Sequence, residues 1–380
     1  MNAQNIGNQP KIRKESKNKI KVDFERTPLK ERLKAKFLSF NFVKKIVWTI
    51  VRFILLLGVA YIVLFPFFSK ISASFMAKTD FTDVTVRLIP KNFTLDIYKE
   101  IWVEQNYVKA FFNTFTLSLT TALIQTFVCS FIAYGFAKFK FKGRNALFMI
   151  VMLTMLIPHR TVAMAMQGLF MKFDIFGIFG FLEGGGINIL GIFKYNNEAL
   201  SAINLLPDSF KTVSSDGINL LNTYWPLILL SLTGLAFKNG LYIFLLRQFF
   251  MGVPDELEES AYIDGSGVFR TFFTIILPIS IPMMVTVFLF AFSWCWTDNF
   301  YVSSTMFFTN ANKAPYLLTT SIGHDVPKTL KDVNFAGSTL YEGAIRNTGG
   351  LMIIAPLVIM YLFCQKFLVQ GIERSGLTAD

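Results

Sequence analysis

The sequence is poor in charged residues, which make up 16% of its 380 residues, whereas a soluble domain usually carries about a quarter. Hydrophobic residues account for 53%, and phenylalanine alone occurs 43 times. The phenylalanines stand in dense apolar runs rather than at the alternating positions of half-buried strands. This composition argues against an ordinary soluble protein and predicts a chain that lies largely within a membrane.

Groups that bind metals or perform acid–base chemistry are also scarce. The two histidines, His159 and His324, are far apart in the sequence, so no Cys/His cluster would hold zinc. The three cysteines, each inside a predicted span, form no disulfide framework; they are Cys129, Cys295 and Cys364. A G-x-x-x-x-G-K-[ST] sequence is missing as well, so the chain should not hydrolyse ATP itself. We expect no catalytic residue, no cofactor and no metal in this chain.

Most of the net charge of +12 is concentrated at the start of the chain. Residues 1–52 hold 14 lysines and arginines against four acids. A basic segment ahead of a hydrophobic span marks the cytoplasmic side of a membrane more often than a nucleic-acid site. Within the predicted tail, residues 1–45, apolar residues recur every fourth position from Leu29. This pattern predicts an amphipathic helix on the inner leaflet, with the solvated first turns of the next span as the alternative.

Six apolar stretches are long enough to cross a bilayer, which takes about 20 residues each. The predicted spans are 46–68, 110–137, 146–167, 223–246, 272–296 and 349–369. The predicted fold class is therefore an all-α integral membrane protein with about six transmembrane helices. Because the first apolar run begins only near Ile46, it is too far along for a cleavable signal, and we expect a retained anchor.

The segments between the spans predict the orientation of the chain. Segment 138–144 holds four cations and no acid, and the N-terminal tail is also basic, so the positive-inside rule places both in the cytoplasm. An even number of spans then puts the short C-terminal tail, residues 373–380, on the same side. The segments 70–109, 168–222 and 297–348 fall outside, and the last two are long enough to form small external caps.

The loop between the fourth and fifth spans, residues 250–271, carries the most informative pattern. Four acids lie within the five residues that follow Pro254. Proline followed by acids favours a helix start, because the first turn has spare N–H groups and the positive end of the dipole. The helix should run to about Ile263 and end at Asp264-Gly265, since glycine tolerates the left-handed conformation. Such a helix would suit docking on a partner; an ordinary polar connector is the alternative.

This loop resembles the EAA loop of the permeases of ATP-binding-cassette (ABC) importers, and we call it the coupling loop. The family pattern is EAA, three residues, Gly, nine residues, Ile, one residue and Leu-Pro. Every spacing matches, in Glu259, Ser260, Ala261, Gly265, Ile275, Leu277 and Pro278. The one departure is Ser260, where the family usually has alanine. The resemblance covers about residues 46–372 and implies the type I ABC importer permease fold.

Short matches elsewhere resemble the maltose-type branch, which imports carbohydrates. They are Ser74-Phe75, Asn113-Thr114, AYGFAKFKFKGR at 133–144, Ile157-Pro158 and QKFLVQG at 365–371. The chain departs from the family where Trp296-Thr297-Asp298-Asn299 replaces the usual Trp-Asn-Asp or Trp-Asn-Glu, so cargo contacts are not carried over. The resemblance implies half of the translocation path for a sugar or oligosaccharide delivered by an external binding protein.

The resemblance also implies partners. In such importers two homologous permeases work with two ATPase subunits, which bind ATP and Mg, and this chain would dock on the ATPase through residues 254–266. The implied coupling residues are Glu258, Glu259, Ser260, Ala261, Asp264, Gly265, Leu277 and Pro278. Gly265 would fix the angle between two helices, Ala261 would permit close approach, and the acids would pair with partner cations or cap N–H groups. The implied location is the bacterial cell membrane, with no nucleic-acid partner.

Polar residues inside spans are costly and often functional. Candidates for the cargo path are Asn113, Thr114, Gln125, Ser293, Trp294, Trp296 and Asp298, the tryptophans as surfaces for a sugar ring. Packing between helices is the alternative for each. His159 and Arg160, which follow Pro158, are expected to cap a kink or face an aqueous cavity.

Other cargoes and other transport classes are the competing hypotheses. The same machinery could import a polyamine, a phosphonate or glycerol phosphate, which the loop motif does not separate. A secondary transporter would need paired intramembrane carboxylates, and the second, third, fourth and sixth predicted spans contain no acid. A membrane-bound enzyme would need a cluster of ionisable residues that the sequence does not show.

Overall fold

The computed structural model describes residues 12–14, 20–22, 40–174, 188–189, 193–194, 219–236, 238–322 and 338–376. The chain divides into two compact units, residues 1–69 and residues 70–380. Each unit is described by itself below.

The first unit contains a short antiparallel strand pair and most of one long helix. Strand β1 (Ile12–Lys14) pairs with β2 (Ile20–Val22), and helix α1 (Phe40–Ala73) runs on into the second unit. The part of α1 over Lys44–Ala73 is long and apolar enough to cross a membrane, and its large apolar side chains are exposed, as contact with lipid requires. The predicted amphipathic helix of the basic tail lies mostly outside the described residues.

The second unit is built from helices. They are α2 (Asp96–Glu104), α3 (Tyr107–Lys138), α4 (Arg144–Leu156), α5 (His159–Met171), α6 (Trp225–Leu232), α7 (Asn239–Met251), α8 (Glu256–Ile263), α9 (Val268–Thr271), α10 (Leu277–Ile279), α11 (Ile281–Trp296), α12 (Leu318–Ser321) and α13 (Ser338–Gly376). A 3₁₀ turn, Lys78–Phe81, precedes α2, and a π-helical turn, Phe272–Ile276, joins α9 to α10. Strands β3 (Asn188–Ile189) and β4 (Phe193–Lys194) pair antiparallel.

Helix α3 is the central element of this unit. Its 32 residues extend about 48 Å at 1.5 Å per residue, longer than the roughly 30 Å of a hydrocarbon core. Helices α6, α7 and α11 pack against α3, and α11 also packs against α13. The buried side of α3 is rich in small residues, among them Ser118, Ala122, Cys129, Ser130 and Ala133. Small side chains let membrane helices approach closely, which supplies the van der Waals contact that replaces the hydrophobic effect in lipid.

Two of the predicted spans are sharply bent. Helices α4 and α5 meet at 100° beside Pro158, within the predicted span 146–167. The segment Val268–Ile279 meets α11 at 80°, ahead of Pro282 and within the predicted span 272–296. Proline removes a backbone donor and clashes with the preceding turn, so a helix bends or stops where it occurs.

The predicted span 223–246 is divided into α6 and α7, two short helices joined by a turn. Gly234 and Lys238 in this turn have positive φ, 74° and 67°. By length and composition, the described residues contain three helices able to cross a membrane, or up to five if each bent pair is one span. The fourth predicted span, 223–246, is not among these helices and therefore stays a prediction. Helix α13 starts before residue 349 and continues past 369, so it includes the first residues of the predicted C-terminal tail.

The described parts of the two long segments predicted to be external pack together near the start of α3. The backbone N–H of Leu220 donates to the carbonyl of Phe170 (2.9 Å), and that of Asn222 donates to the carbonyl of Phe307 (2.8 Å). Apolar residues of these segments form a second buried cluster around Phe307. These contacts form one cap over this end of α3. Most of segment 168–222, and residues 323–337, lie outside the described residues.

Gly240, in the first turn of α7, marks the closest contact of α7 with α4. A Cβ there would lie 2.7 Å from the Cγ of Met155 and 3.0 Å from the carbonyl oxygen of Val151. The Met155 side chain can move, but the carbonyl moves only with α4. A Cβ at Gly135 meets no atom within 4 Å. We expect Gly240→Ala to be less stable than the matched Gly135→Ala by about 2 kcal/mol, measured as thermal unfolding of the purified protein. Equal stabilities of the two variants would show that α4 shifts to accommodate the added methyl group without a measurable loss of stability.

Candidate coupling site and cavity

The coupling loop forms helix α8, as its sequence predicts. Asp255 precedes the helix, and its carbonyl accepts the backbone N–H of both Glu258 and Glu259 at 3.0 Å. Acids in the first turn complement the positive end of the helix dipole. The local sequence therefore accounts for where α8 starts.

Helix α8 ends at Ile263 in a Schellman motif. The N–H of Ser266 donates to the carbonyl of Ala261 (2.9 Å), and the N–H of Gly265 donates to that of Tyr262 (3.0 Å). Gly265 has φ 79°, and a Cβ built there would meet no atom within 4 Å. Glycine is therefore favoured by backbone conformation and not by lack of space. The turn lies between α8 and the segment that leads to α11, and the role of Gly265 in fixing the angle between two helices stays a prediction.

The predicted coupling residues that lie on α8 divide between two faces of the helix. Glu258, 7% exposed, and Ala261, also buried, face the helices of this same chain. The Tyr134 hydroxyl donates to Oε2 of Glu258 (3.4 Å), and Nζ of Lys138 lies 3.6 Å from its Oε1. The described contacts of Glu258 are internal to this chain, and the expectation that it pairs with a partner cation or caps backbone N–H groups stays a prediction. The close approach that Ala261 permits is that of α8 to its own bundle.

Lys138, the last residue of α3, is the residue of this site that sequence reasoning missed. Its Nζ donates to the carbonyl of Val253 (2.7 Å) and to Oδ1 of Asp255 (2.5 Å). Its side chain is only 7% exposed. The sequence showed Lys138 as one of four cations in a basic segment, and only its place at the end of a long apolar helix distinguished it.

The two carboxyl groups that Lys138 approaches differ in their surroundings. The hydrogen bond and the charge of Lys138 lower the pKa of Asp255, whose side chain is mostly exposed. Burial raises the pKa of Glu258, although the Lys138 ammonium opposes this effect. Burial thus disfavours the charged form of Glu258, and the neighbouring ammonium favours it.

The opposite face of α8 is exposed and combines acids with large apolar side chains. Glu259 lies on it, Ile263 is 86% exposed, and the exposed Asp264 follows at the end of the helix. Tyr262 lies four residues after Glu258, on the inner side, where it interacts with Tyr134. A large apolar side chain beside acids on a short surface helix is typical of a protein contact. The Ser260 hydroxyl donates to the carbonyl of Glu256 (2.7 Å) within the helix, so serine adds no free polar group in place of the usual alanine.

Leu277 and Pro278 lie in the connection from α8 to α11 and not on α8 itself. The N–H of Leu277 donates to the carbonyl of Phe272, five residues back, in the π-helical turn. Proline has no N–H to continue the usual ladder, which favours a shift of register just before it. Leu277 packs against the core of the helix bundle. These two residues shape the connection rather than the exposed face.

A cavity of about 600 Å³ lies midway along α3. Of the predicted cargo-path residues, Gln125, Trp294 and Asp298 line it. Arg160 and Ser231 line it as well, and Nε2 of Gln125 donates to the Ser231 hydroxyl (3.2 Å). An exposed indole among amide, hydroxyl and charged groups is suited to a polar solute with apolar ring faces, which describes a sugar.

A second cavity, of about 450 Å³, adjoins the first and shares Arg160 and Asp298 with it. It lies beside the α4–α5 bend, and His159 lines it with its Nδ1 2.7 Å from the Tyr301 hydroxyl. His159 and Arg160 thus face a cavity at a kink, as expected. The described residues include no group of histidine, cysteine or acid side chains that could hold a metal ion.

Four other predicted cargo-path residues are not among those lining the larger cavity: Asn113, Thr114, Ser293 and Trp296. Asn113 Nδ2 donates to the carbonyl of Tyr316 (3.0 Å), and the Thr114 hydroxyl accepts the N–H of Leu318 (2.9 Å). The indole N–H of Trp296 donates to the carbonyl of Ile353 (2.9 Å). The described contacts of Asn113, Thr114 and Trp296 are those of packing between elements, the alternative given for each.

Residues 125–373 match the family described as binding-protein-dependent transport system inner membrane component. The chain belongs to this family. The match includes the coupling loop, both cavities and most of α13, and it confirms the sequence-based prediction of an ABC importer permease of the type I fold. Members of this family are transport components of the inner membrane rather than enzymes.

Curated relatives span nearly the whole chain. The galactooligosaccharides transport system permease protein GanQ of Bacillus subtilis is 27% identical over 337 residues, which is 88% of this chain and 97% of the relative. The polygalacturonan/rhamnogalacturonan transport system permease protein YtcP of the same organism is 26% identical, over 83% of this chain and 93% of its own length. The arabinooligosaccharides transport system permease protein AraQ of Halalkalibacterium halodurans is 24% identical, over 84% of this chain and 92% of its own length.

A solved structure shows the same fold. A chain of a bacterial ABC transporter involved in the import of the acidic polysaccharide alginate matches with a TM-score of 0.57 and 19% identity. The match covers 85% of this chain and 97% of that chain. The likeness therefore extends over most of both chains.

Proposed function

We propose that this chain forms half of the translocation path of an ABC importer for an oligosaccharide, and that α8 receives the movement of a partner ATPase. The observation that carries the proposal is the geometry of α8. It is a short helix, capped at a glycine turn, with one face held to its own bundle and the other exposed with acids around Ile263. An exposed apolar and acidic face without a described covering element suits a protein partner.

The docking partner in this proposal is an ATPase subunit, which binds the ATP and Mg that this chain does not. Two ATPase copies and a second, homologous permease complete the membrane complex, and an external binding protein delivers the solute. Membership of a binding-protein-dependent family supports this composition. The basic segment 138–144 beside α8 supports an orientation with the coupling loop and both termini in the cytoplasm.

Two observations support an oligosaccharide as the cargo. The relatives GanQ, YtcP and AraQ carry saccharides in their names and align over more than nine-tenths of their own lengths. The larger cavity offers the Trp294 indole beside the polar groups of Gln125, Arg160 and Asp298. Sugars are bound by stacking of an aromatic ring on the apolar ring face and by hydrogen bonds to hydroxyl groups.

The proposal is tested by purifying the complex with its associated subunits and reconstituting it in proteoliposomes with the binding protein. Uptake is measured with a panel of neutral and acidic oligosaccharides, a polyamine, a phosphonate and glycerol phosphate, with and without ATP. We expect two ATPase copies, one homologous permease and ATP-dependent uptake of an oligosaccharide. ATP-dependent uptake of another solute alone would overturn the cargo. Uptake without an ATPase would overturn the whole proposal.

A further inference from the structure

Two side chains at the end of α3 contact the start of α8. Lys138 and Tyr134 lie four residues apart and so project from the same face of α3. Both reach Glu258, and Lys138 also reaches Asp255 and the carbonyl of Val253. An ammonium has three donor hydrogens, and the contacts of Lys138 all go to the start of α8.

The contacts of Lys138 are not equivalent. The Asp255 side chain is 79% exposed, so its ion pair with Lys138 contributes little, as expected of surface pairs. Glu258 is buried, and loss of the ammonium would leave a carboxylate in a low-dielectric site, where the Tyr134 hydroxyl is its side-chain hydrogen-bond partner among the described residues. The contact between Lys138 and Glu258 is therefore the one whose loss would most disturb the position of α8.

Lys138 differs in this respect from the other cations of its segment. Lys140 and Lys142 are exposed, and neither has an ion pair within 4.0 Å among the described residues. Removal of the charge at Lys142 changes the net charge of the segment by the same amount as removal of the charge at Lys138. It leaves the contacts between α3 and α8 unchanged. The chain thus provides its own matched control.

Along the chain, α8 is joined to α7 and, through the turn at Gly265, to the segment before α11. Lys138 adds a connection to α3, whose residues Thr121 and Gln125 line the larger cavity. A rigid helix carries a displacement of its end along its length, so a movement of α8 would reach the cavity wall through this contact.

We propose that Lys138 is a positioning residue for energy coupling, which holds α8 to α3 so that α3 moves with the docked coupling loop. This inference rests on the proposed function, since it requires an ATPase on the exposed face of α8. Lys138 itself lies on the inner face and contacts neither ATPase nor cargo in this arrangement. Its loss should therefore uncouple ATP hydrolysis from uptake in complexes that still assemble.

The test uses the whole complex in proteoliposomes and measures solute transported per ATP hydrolysed, together with the ATPase copies bound per permease. We expect Lys138→Met to lower this ratio about tenfold with the subunits still bound, since the buried Glu258 loses its partner. Lys138→Arg, which keeps the charge, should restore the ratio to within about twofold. Lys142→Met should leave it unchanged.

An unchanged ratio in an assembled Lys138→Met complex would overturn the inference and leave the proposed function intact. A wild-type complex without ATP-dependent uptake would instead overturn the proposed function. If Lys138→Met does not assemble, Glu258→Gln, which keeps the side-chain shape and removes its charge, decides the question. A lowered ratio in Glu258→Gln supports the inference, and a wild-type ratio contradicts it.

Discussion

Replacing Ile263 by glutamine should weaken binding of the ATPase about 100-fold and reduce uptake accordingly. Ile263 is 86% exposed in this chain, so its replacement should change the stability of the permease itself by less than about 0.5 kcal/mol. In a docked complex the side chain would be buried. Loss of its burial costs about 2 kcal/mol, and an amide left without full hydrogen bonding adds about 1 kcal/mol. The Kd of the purified ATPase for the permease in nanodiscs measures the effect.

Val84→Gln is the matched control for this experiment. Val84 is equally exposed but lies in the segment that leads to α2, away from the coupling loop. Its replacement should leave the Kd unchanged. If both variants bind the ATPase like wild type, the exposed face of α8 is not the docking surface.

Trp296→Ala should destabilise the permease by about 3–5 kcal/mol, with a fall in Tm of about 10 °C. The Trp296 ring is 1% exposed, stacks on Phe292 with 5.5 Å between ring centroids, and meets the edge of Phe111. Its indole N–H donates a hydrogen bond to the carbonyl of Ile353 in α13. Its removal would open a void between α3, α11 and α13 that the surrounding helices fill only in part.

Trp294→Ala should affect uptake more than stability, the opposite of what is expected for Trp296→Ala. Trp294 is 48% exposed and lines the larger cavity, so its loss should raise the KM for uptake with only a small change in Tm. Thermal unfolding and uptake kinetics of the two variants separate packing from cargo contact. A Trp296→Ala protein with wild-type Tm and a raised KM would place Trp296 in the cargo path instead.

The two tryptophans show why sequence alone could not sort the predicted cargo-path residues. Both are apolar, both lie at the end of α11, and they are two residues apart. At about 100° per residue, two positions along a helix differ by about 200° and so point to opposite sides. In a soluble protein, polarity would reveal which side is buried. In a membrane, lipid and protein interior are both apolar, so the pattern carries no such information.

The coupling site also contains some features that the sequence predicts and others that depend on helix packing. Its helix, its start after Pro254 and its end at Gly265 depend on groups within a few residues of one another, and the sequence predicts them. The orientation of the Glu258 side chain toward the helix bundle depends on Lys138 and Tyr134, which lie more than 100 residues earlier in the chain. Contacts over such separations arise only when the helices pack.

By itself the sequence determined that the chain lies in a membrane, where its apolar helices occur, and that the coupling loop forms a capped helix of the importer permease type. Composition and local backbone preferences are sufficient for the membrane location and for the capped helix, whereas the importer permease type rests on the resemblance of the loop motif. Only the tertiary structure decided how sharply the helices bend, which face of α8 is exposed, which polar residues meet at the cavity, and that Lys138 joins α3 to α8. These features depend on which helix surfaces come into contact, and a one-dimensional pattern of apolar residues does not specify that choice.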